Sequence, residues 1–244
     1  MLLLFYFNEA DSTGLKTIVI DPGHGGSDKG GEGRDGILEK DTVLQISLSL
    51  RNKITGKMKL NVVMTRDKDN DVPLEKRASI ANESNGDLFM SIHTGSAHSD
   101  ELSGIWIFHL DYETVRSELG KSDTDDIEGD EKKDLEVILK DMAQSEYVNE
   151  GARFSELLQK NLIELIPDQK VGLKPIPISI LKDINMPSVL IEIGNITNNK
   201  DGKRLKDKEY VNKITDAILN SINDYIMANE GESSENPSSD RDDK

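Results

Sequence analysis

The sequence predicts an α/β fold: a single sandwich domain with a mostly parallel central sheet flanked by helices, plus an acidic insertion. Three observations predict it. Short β-branched runs alternate along the chain with segments of helical periodicity. The most apolar runs lack polar alternation, as expected of strands covered on both faces. At 244 residues, the chain suits one such domain with a full core.

Taken in order, the opening Met1-Leu2-Leu3-Leu4-Phe5-Tyr6-Phe7 is apolar and short. It has no basic region before it and no small-residue cleavage pattern directly after. It reads either as the remnant of an export signal or as a plain apolar start, so residues 1–14 are set apart from the domain. Strands are expected at Thr17–Ile20, Leu60–Met64, Leu88–Ile92, Ile105–Phe108 and Val189–Ile193, with a further one near Ile176 to Leu181. Residues 42–54 are ambiguous, because Leu44, Ile46, Leu48 and Leu50 alternate like a strand; their length and their place between two strands favour helix. Leu135, Ile138, Leu139 and Met142 form a short helical stripe. Phe154, Leu157, Leu158, Leu162 and Leu165 form a second, and Tyr210, Val211, Ile214, Ala217, Ile218, Ile222 and Tyr225 a third. The folded domain is expected over 15–228. From about Asn229 the chain is Ser, acid, Pro and Gly without periodicity, and 229–244 reads as a disordered acidic tail.

Composition excludes several classes. With no cysteine, disulfides and thiolate metal sites are ruled out, so any metal must be held by His and carboxylates. No run approaches the roughly 18 apolar residues of a membrane span. The net charge of -16 is concentrated in two places. Residues 111–146 hold thirteen acids against five bases, and 229–244 six against two. The remaining body is nearly balanced and has no basic footprint for nucleic acid.

Chemistry concentrates at strand ends. Asp21-Pro22-Gly23-His24-Gly25-Gly26 follows the first strand directly, where open α/β sheets place their ligands. Ser91-Ile92-His93 puts a second histidine at the end of another buried strand. Two of four histidines in such places suit a metal with neutral imidazole ligands. His98 and His109 lack this context. Glu192 lies inside Val189-Leu190-Ile191-Glu192-Ile193-Gly194, where a lone carboxylate is costly to bury without a charge partner or a role in proton transfer. Glu39, just ahead of a helix, reads on its own as a solvated N-terminal carboxylate. Gly31-Glu32-Gly33-Arg34-Asp35-Gly36 matches a dinucleotide pattern, but it lacks the strand before it and the helix opening within it.

At these residues the chain resembles the zinc-dependent N-acetylmuramoyl-L-alanine amidases, the type 3 amidase family of cell-wall hydrolases. The resemblance runs from about Lys16 to Tyr225, broken by the acidic insertion. Asp21–Gly26 and Gly36-Ile37-Leu38-Glu39-Lys40-Asp41 are similar to the family's first two ligand motifs, and Ser91-Ile92-His93 to its third. Thr65-Arg66, Leu74 with Arg77, and Ala81-Asn82 follow its landmarks between them. Met186–Asn195 is similar to its catalytic strand. The resemblance implies Zn2+ held by His24, Glu39 and His93, with Glu192 as catalytic carboxylate. It further implies cleavage of the amide joining the lactyl group of N-acetylmuramic acid to L-alanine in peptidoglycan, during cell-wall remodelling or daughter-cell separation. Thr94-Gly95-Ser96 and Asn195 depart from the family's usual residues beside the site.

In some periplasmic relatives of this kind, an insertion at the place of 111–146 covers the zinc until an activator protein withdraws it. The expectation here is a partly helical insertion whose Glu118 or Asp123 reaches the metal's open position, set against a plain solvated acidic loop. The implied location is the periplasm or the cell wall. Two alternatives stand beside the amidase: a zinc peptidase cutting another stem-peptide bond, and a non-catalytic peptidoglycan-binding protein retaining the fold.

Overall fold

The computed structural model describes residues 14–34, 36–96, 103–111 and 131–235, with side chains left out over 131–141 and 231–235. Six strands, β1 (Thr17–Pro22), β2 (Asn61–Met64), β3 (Leu88–Gly95), β4 (Ile105–His109), β5 (Val171–Pro175) and β6 (Ser188–Asn195), form one sheet in the order β2-β1-β3-β6-β4-β5. The helices are α1 (Glu39–Lys57), α2 (Leu74–Glu83), α3 (Glu131–Leu165), α4 (Ser179–Lys182), α5 (Asn199–Arg204) and α6 (Lys208–Glu235). All pairings are parallel except β4 with β6. The mostly parallel α/β sandwich expected from the sequence is therefore present.

The ambiguous segment 42–54 is helical. Val43, Ile46, Leu50 and Ile54, spaced three and four apart, are all buried in the main core, which the strand-like alternation of leucines does not capture. Three expectations need correction. The sixth strand lies at Val171–Pro175 rather than near Ile176 to Leu181, where the chain instead makes the short helix α4. The Gly, Lys and Pro of Val-Gly-Leu-Lys-Pro are poor strand formers, but pairing with β4 along five registered residues decides the local structure. The two helical stripes at 135–142 and 154–165 belong to the single 35-residue helix α3, which begins inside the acidic segment. Helix α6 also continues to Glu235, past the expected start of the tail at Asn229. The N-terminal segment up to residue 13, residues 112–130 with Glu118 and Asp123, His98, and residues 236–244 lie outside the described residues.

The two faces of the sheet differ. Ile18, Ile20, Leu88, Met90, Ile92, Ile105, Ile107, Val189, Ile191 and Ile193 point to one side and pack under α1, α3 and α6. The alternate residues Val19, Phe89 and Leu190 join a smaller cluster with Ala78 and Ala81 of α2 and with Ile180 and Leu181 of α4. Toward the strand ends this second face turns polar, with Asp21, Ser91, His93 and Glu192 in the same alternation.

Phe154 anchors α3 in the main core, fully buried and edge-to-face with Tyr225 of α6 at 5.7 Å between ring centroids. Phe154→Ala is expected to cost about 3–5 kcal/mol of unfolding free energy by urea denaturation. A loss within the surface-substitution range of about 0.5 kcal/mol would contradict this packing.

Candidate metal centre

The site is built where β1, β3 and β6 end side by side. Gly23 extends the β1 ladder by donating its N–H to the carbonyl of Ile92 at 2.9 Å, and the chain then turns sharply. His24 adopts φ 58°, a left-handed conformation unfavourable for a residue with a side chain. Two buried arginines hold this turn. Arg66 donates to the carbonyls of Pro22 (2.9 Å), Gly23 (2.7 Å) and Lys40 (2.9 Å). Arg77 donates to the carbonyls of Pro22 (2.7 Å) and His24 (2.6 Å) and to the Asp21 carboxylate (2.7 Å). Asp21 is completed by the hydroxyls of Thr65 (2.5 Å) and Ser91 (2.8 Å). Carbonyls that leave the sheet ladder thus find donors, and the buried carboxylate finds its charge partner.

Glu39 opens α1 and is buried to 2% exposure, so it is not the solvated helix-end carboxylate that local sequence suggested. Its Oε2 accepts from the Gly31 N–H at 2.7 Å, and its Oε1 from the Thr94 N–H at 2.8 Å. The same Oε1 lies 3.1 Å from His93 Nδ1 and 3.3 Å from His24 Nε2. Of the glycines in the nucleotide-like pattern, Gly31 serves this carboxylate, and glycines outside that pattern make room around the centre. At Gly30 (φ +65°) a Cβ would come within 2.6 Å of the His24 ring and 2.7 Å of Glu39. At Gly23 a Cβ would come within 2.2 Å of the His93 ring.

His24, Glu39 and His93 bring one ligand atom each to within 4.8 Å of one another. The three groups are electrostatically coupled to one another. Burial works to raise the Glu39 pKa, but hydrogen bonds from both histidines, the charge of His93 and the Gly31 N–H outweigh it and hold the carboxyl far below its usual range. Hydrogen bonding to Glu39 raises His24, against the opposing effect of burial. The other His24 nitrogen, Nδ1, meets Asp28 Oδ2 at 2.8 Å, a carboxylate–histidine pair that turns Nε2 toward the centre. Two imidazoles and one carboxylate, with no thiolate, fit a divalent metal that keeps an open coordination position.

Glu192 stands beside this trio. It is paired in register with His93 across β3 and β6, and a Cβ on Gly95 would lie 3.1 Å from its Oε2. Burial raises its pKa, and the nearby Glu39 charge adds to the rise, while His93 and Lys174 oppose it. A carboxyl so placed can hold a proton and release it. A cleft of about 460 Å3 opens next to His24 and His93, walled by Val72, Pro73, Leu74 and Ile180.

All four residues singled out from the sequence therefore meet at one edge of the sheet. The positions of Asp28, Arg66 and Arg77 as supports were not read from sequence. For Asp28 a signal existed: an acid four residues after a histidine in a glycine-rich loop. The departures beside the site leave the trio intact. Thr94 contributes its backbone N–H to Glu39, and the Asn195 side chain accepts from the N–H and hydroxyl of Thr197.

The profile of the N-acetylmuramoyl-L-alanine amidase family matches residues 18–224. The chain belongs to that family. It is accordingly a hydrolase of the amidase class, and the match runs from β1 into α6. The chain is 30% identical over 218 residues to N-acetylmuramoyl-L-alanine amidase AmiC of Escherichia coli O6:H1, covering 86% of this chain and 52% of AmiC. It thus spans about half the length of that relative. Among solved structures, N-acetylmuramoyl-L-alanine amidase AmiC2 of Nostoc punctiforme superposes with a TM-score of 0.68 at 28% identity, over 87% of this chain and 97% of that one. The CwlD amidase of Clostridioides difficile, in complex with the GerS lipoprotein, gives a TM-score of 0.66 at 28% identity, over 87% and 99%.

Asp28 is largely exposed and, besides His24, its carboxylate accepts only the Gly30 N–H at 3.1 Å, so its removal is expected to spare the fold. Asp28→Ala should weaken divalent-metal binding by about 10–100-fold in calorimetric titration. Unchanged affinity would mean that Asp28 does not orient His24.

Proposed function

We propose that this amidase cleaves the bond between the lactyl group of N-acetylmuramic acid and L-alanine in peptidoglycan, with zinc at His24, Glu39 and His93 and with Glu192 as catalytic acid/base. The observation that carries the reading is the meeting of a buried two-histidine, one-carboxylate trio with a half-buried carboxyl on the adjoining strand. Family membership supplies the substrate class.

A bound zinc ion would lower the pKa of water to about 7 and polarise a carbonyl. The protein's own groups do the rest. Asp28 fixes the His24 tautomer, and the Thr94 and Gly31 N–H groups hold Glu39 in place. Glu192, with its pKa raised mainly by burial, takes a proton from the attacking water and delivers it to the departing amine of L-alanine. The products are a free lactyl carboxylate and a stem with a free amino end.

The same reading extends to setting and control. Cell-wall remodelling or daughter-cell separation, in the periplasm or the cell wall, is the proposed role. An activator protein acting through the acidic segment 111–146 is the proposed regulator, with Glu118 or Asp123 as the covering carboxylate. The CwlD–GerS complex supports the idea that a protein partner can bind an amidase of this fold.

Glu192→Gln is expected to retain zinc while losing about 10²–10⁴ in kcat on purified peptidoglycan. Mass spectrometry of the wild-type digest should find intact stems beginning at L-alanine. Stems cut at another bond would overturn the substrate assignment, and wild-type turnover in the variant would remove Glu192 from the chemistry.

A further inference from the structure

Trp106, the single tryptophan of the chain, sits in the same row across the sheet as the site. His93 pairs with Glu192, Glu192 pairs with Trp106, and Trp106 pairs with Gly172. Residues directly opposite on paired strands share a face, so Trp106 flanks Glu192 on the side away from His93. The Trp106 ring lies directly on Gly172, where a Cβ would come within 2.1 Å of a ring carbon. Lys170 and Lys174, two residues to either side of Gly172, fall on that same face. Their ammonium groups stand 4.8 Å and 4.1 Å from the centre of the Trp106 ring.

Both lysines are exposed and neither forms an ion pair among the described residues, the Lys174 charge acting on the Glu192 carboxyl only from beyond ion-pair distance. An edge strand such as β5 often carries lysines against aggregation. Here, however, both converge on one aromatic ring beside Glu192, in a chain of net charge -16. A flat ring between two available ammonium groups is a receptor for a carboxylate attached to an apolar frame.

Distance selects the carboxylate. Neighbouring strands are about 4.8 Å apart, which puts ammonium groups leaning over Trp106 about 5–10 Å from the Glu192 position. In an extended stem, the α-carboxylate of the residue after L-alanine lies about 7 Å from the scissile carbonyl, at about 3.5 Å per residue. We propose that Trp106, Lys170 and Lys174 form a subsite that binds the free α-carboxylate of the second stem residue. The substrate's identity rests on the amidase reading above, but the subsite's preference for carboxylate over carboxamide is testable without turnover.

Tryptophan fluorescence, excited selectively over the five tyrosines, reports on Trp106 alone. The zinc-loaded full chain carrying Glu192→Gln, which spares the ligand, is titrated with a muramyl tripeptide whose second residue, D-glutamate, has a free α-carboxylate, and with its α-carboxamide. The carboxylate form is expected to bind about two- to fivefold tighter, a difference on the scale of exposed charge pairs. The difference should shrink with added salt and vanish when Lys170→Gln and Lys174→Gln are added. Equal affinity for the two forms, a preference that survives the lysine substitutions, or no binding of either form would overturn the subsite. Turnover of wild type on the same two compounds is scored separately. Failure to cleave them, with the fluorescence preference intact, would count against the amidase reading and not against the subsite.

Discussion

The site depends on one buried carboxylate. Glu39 takes part in three separate pieces of chain: it opens α1, it accepts the Gly31 N–H of the glycine-rich loop, and it accepts the Thr94 N–H at the end of β3. It also lies within hydrogen-bonding range of one histidine from the loop and one from β3. A carboxylate at 2% exposure is costly unless its oxygens are satisfied and its charge is countered. Two backbone donors satisfy it, and the imidazoles hold it ionised. The geometry that meets this cost gathers two nitrogens and an oxygen around one point, which is also the geometry a divalent cation requires. Stability of the loop and capacity for a metal are therefore two consequences of the same contacts.

The surrounding structure keeps those contacts in register. Arg66 and Arg77 carry the carbonyls of the turn through Pro22, Gly23 and His24, and Arg66 also reaches Lys40, next to Glu39 on α1. The left-handed His24 backbone is thereby fixed from several sides. The sheet contributes order of a different kind. With β3, β6 and β4 adjacent, His93, Glu192 and Trp106 stand in one row, so the proposed metal ligand, the proposed proton carrier and an aromatic surface share one face at strand spacing. The opposite face is closed by three helices, leaving this one as the working side.

Much of this was legible in the sequence, for identifiable reasons. His24 and His93 follow buried strands whose apolar character is local, and ligand sites at strand ends follow from the architecture. Glu192 was visible as a charge inside an apolar strand. Glu39 was not visible on local grounds, because burial of a helix-start carboxylate arises only when the loop and β3 fold around it; the family resemblance supplied it. Strand β5 was misplaced by a few residues, since Gly172, Lys174 and Pro175 hide a strand that exists through pairing with β4. The antiparallel return of β4 beside β6 brings Trp106 next to Glu192, and nothing in the spacing of residues 106 and 192 announces it. Long-range pairing and the supports around the centre were the unreadable part.

The most direct measurement of the central claim is zinc-edge anomalous diffraction from crystals of the zinc-loaded chain. One strong peak is expected about 2.0–2.2 Å from an imidazole nitrogen of His24, an imidazole nitrogen of His93 and a carboxylate oxygen of Glu39. A zinc ion bound elsewhere, or bound here without Glu39, would contradict it.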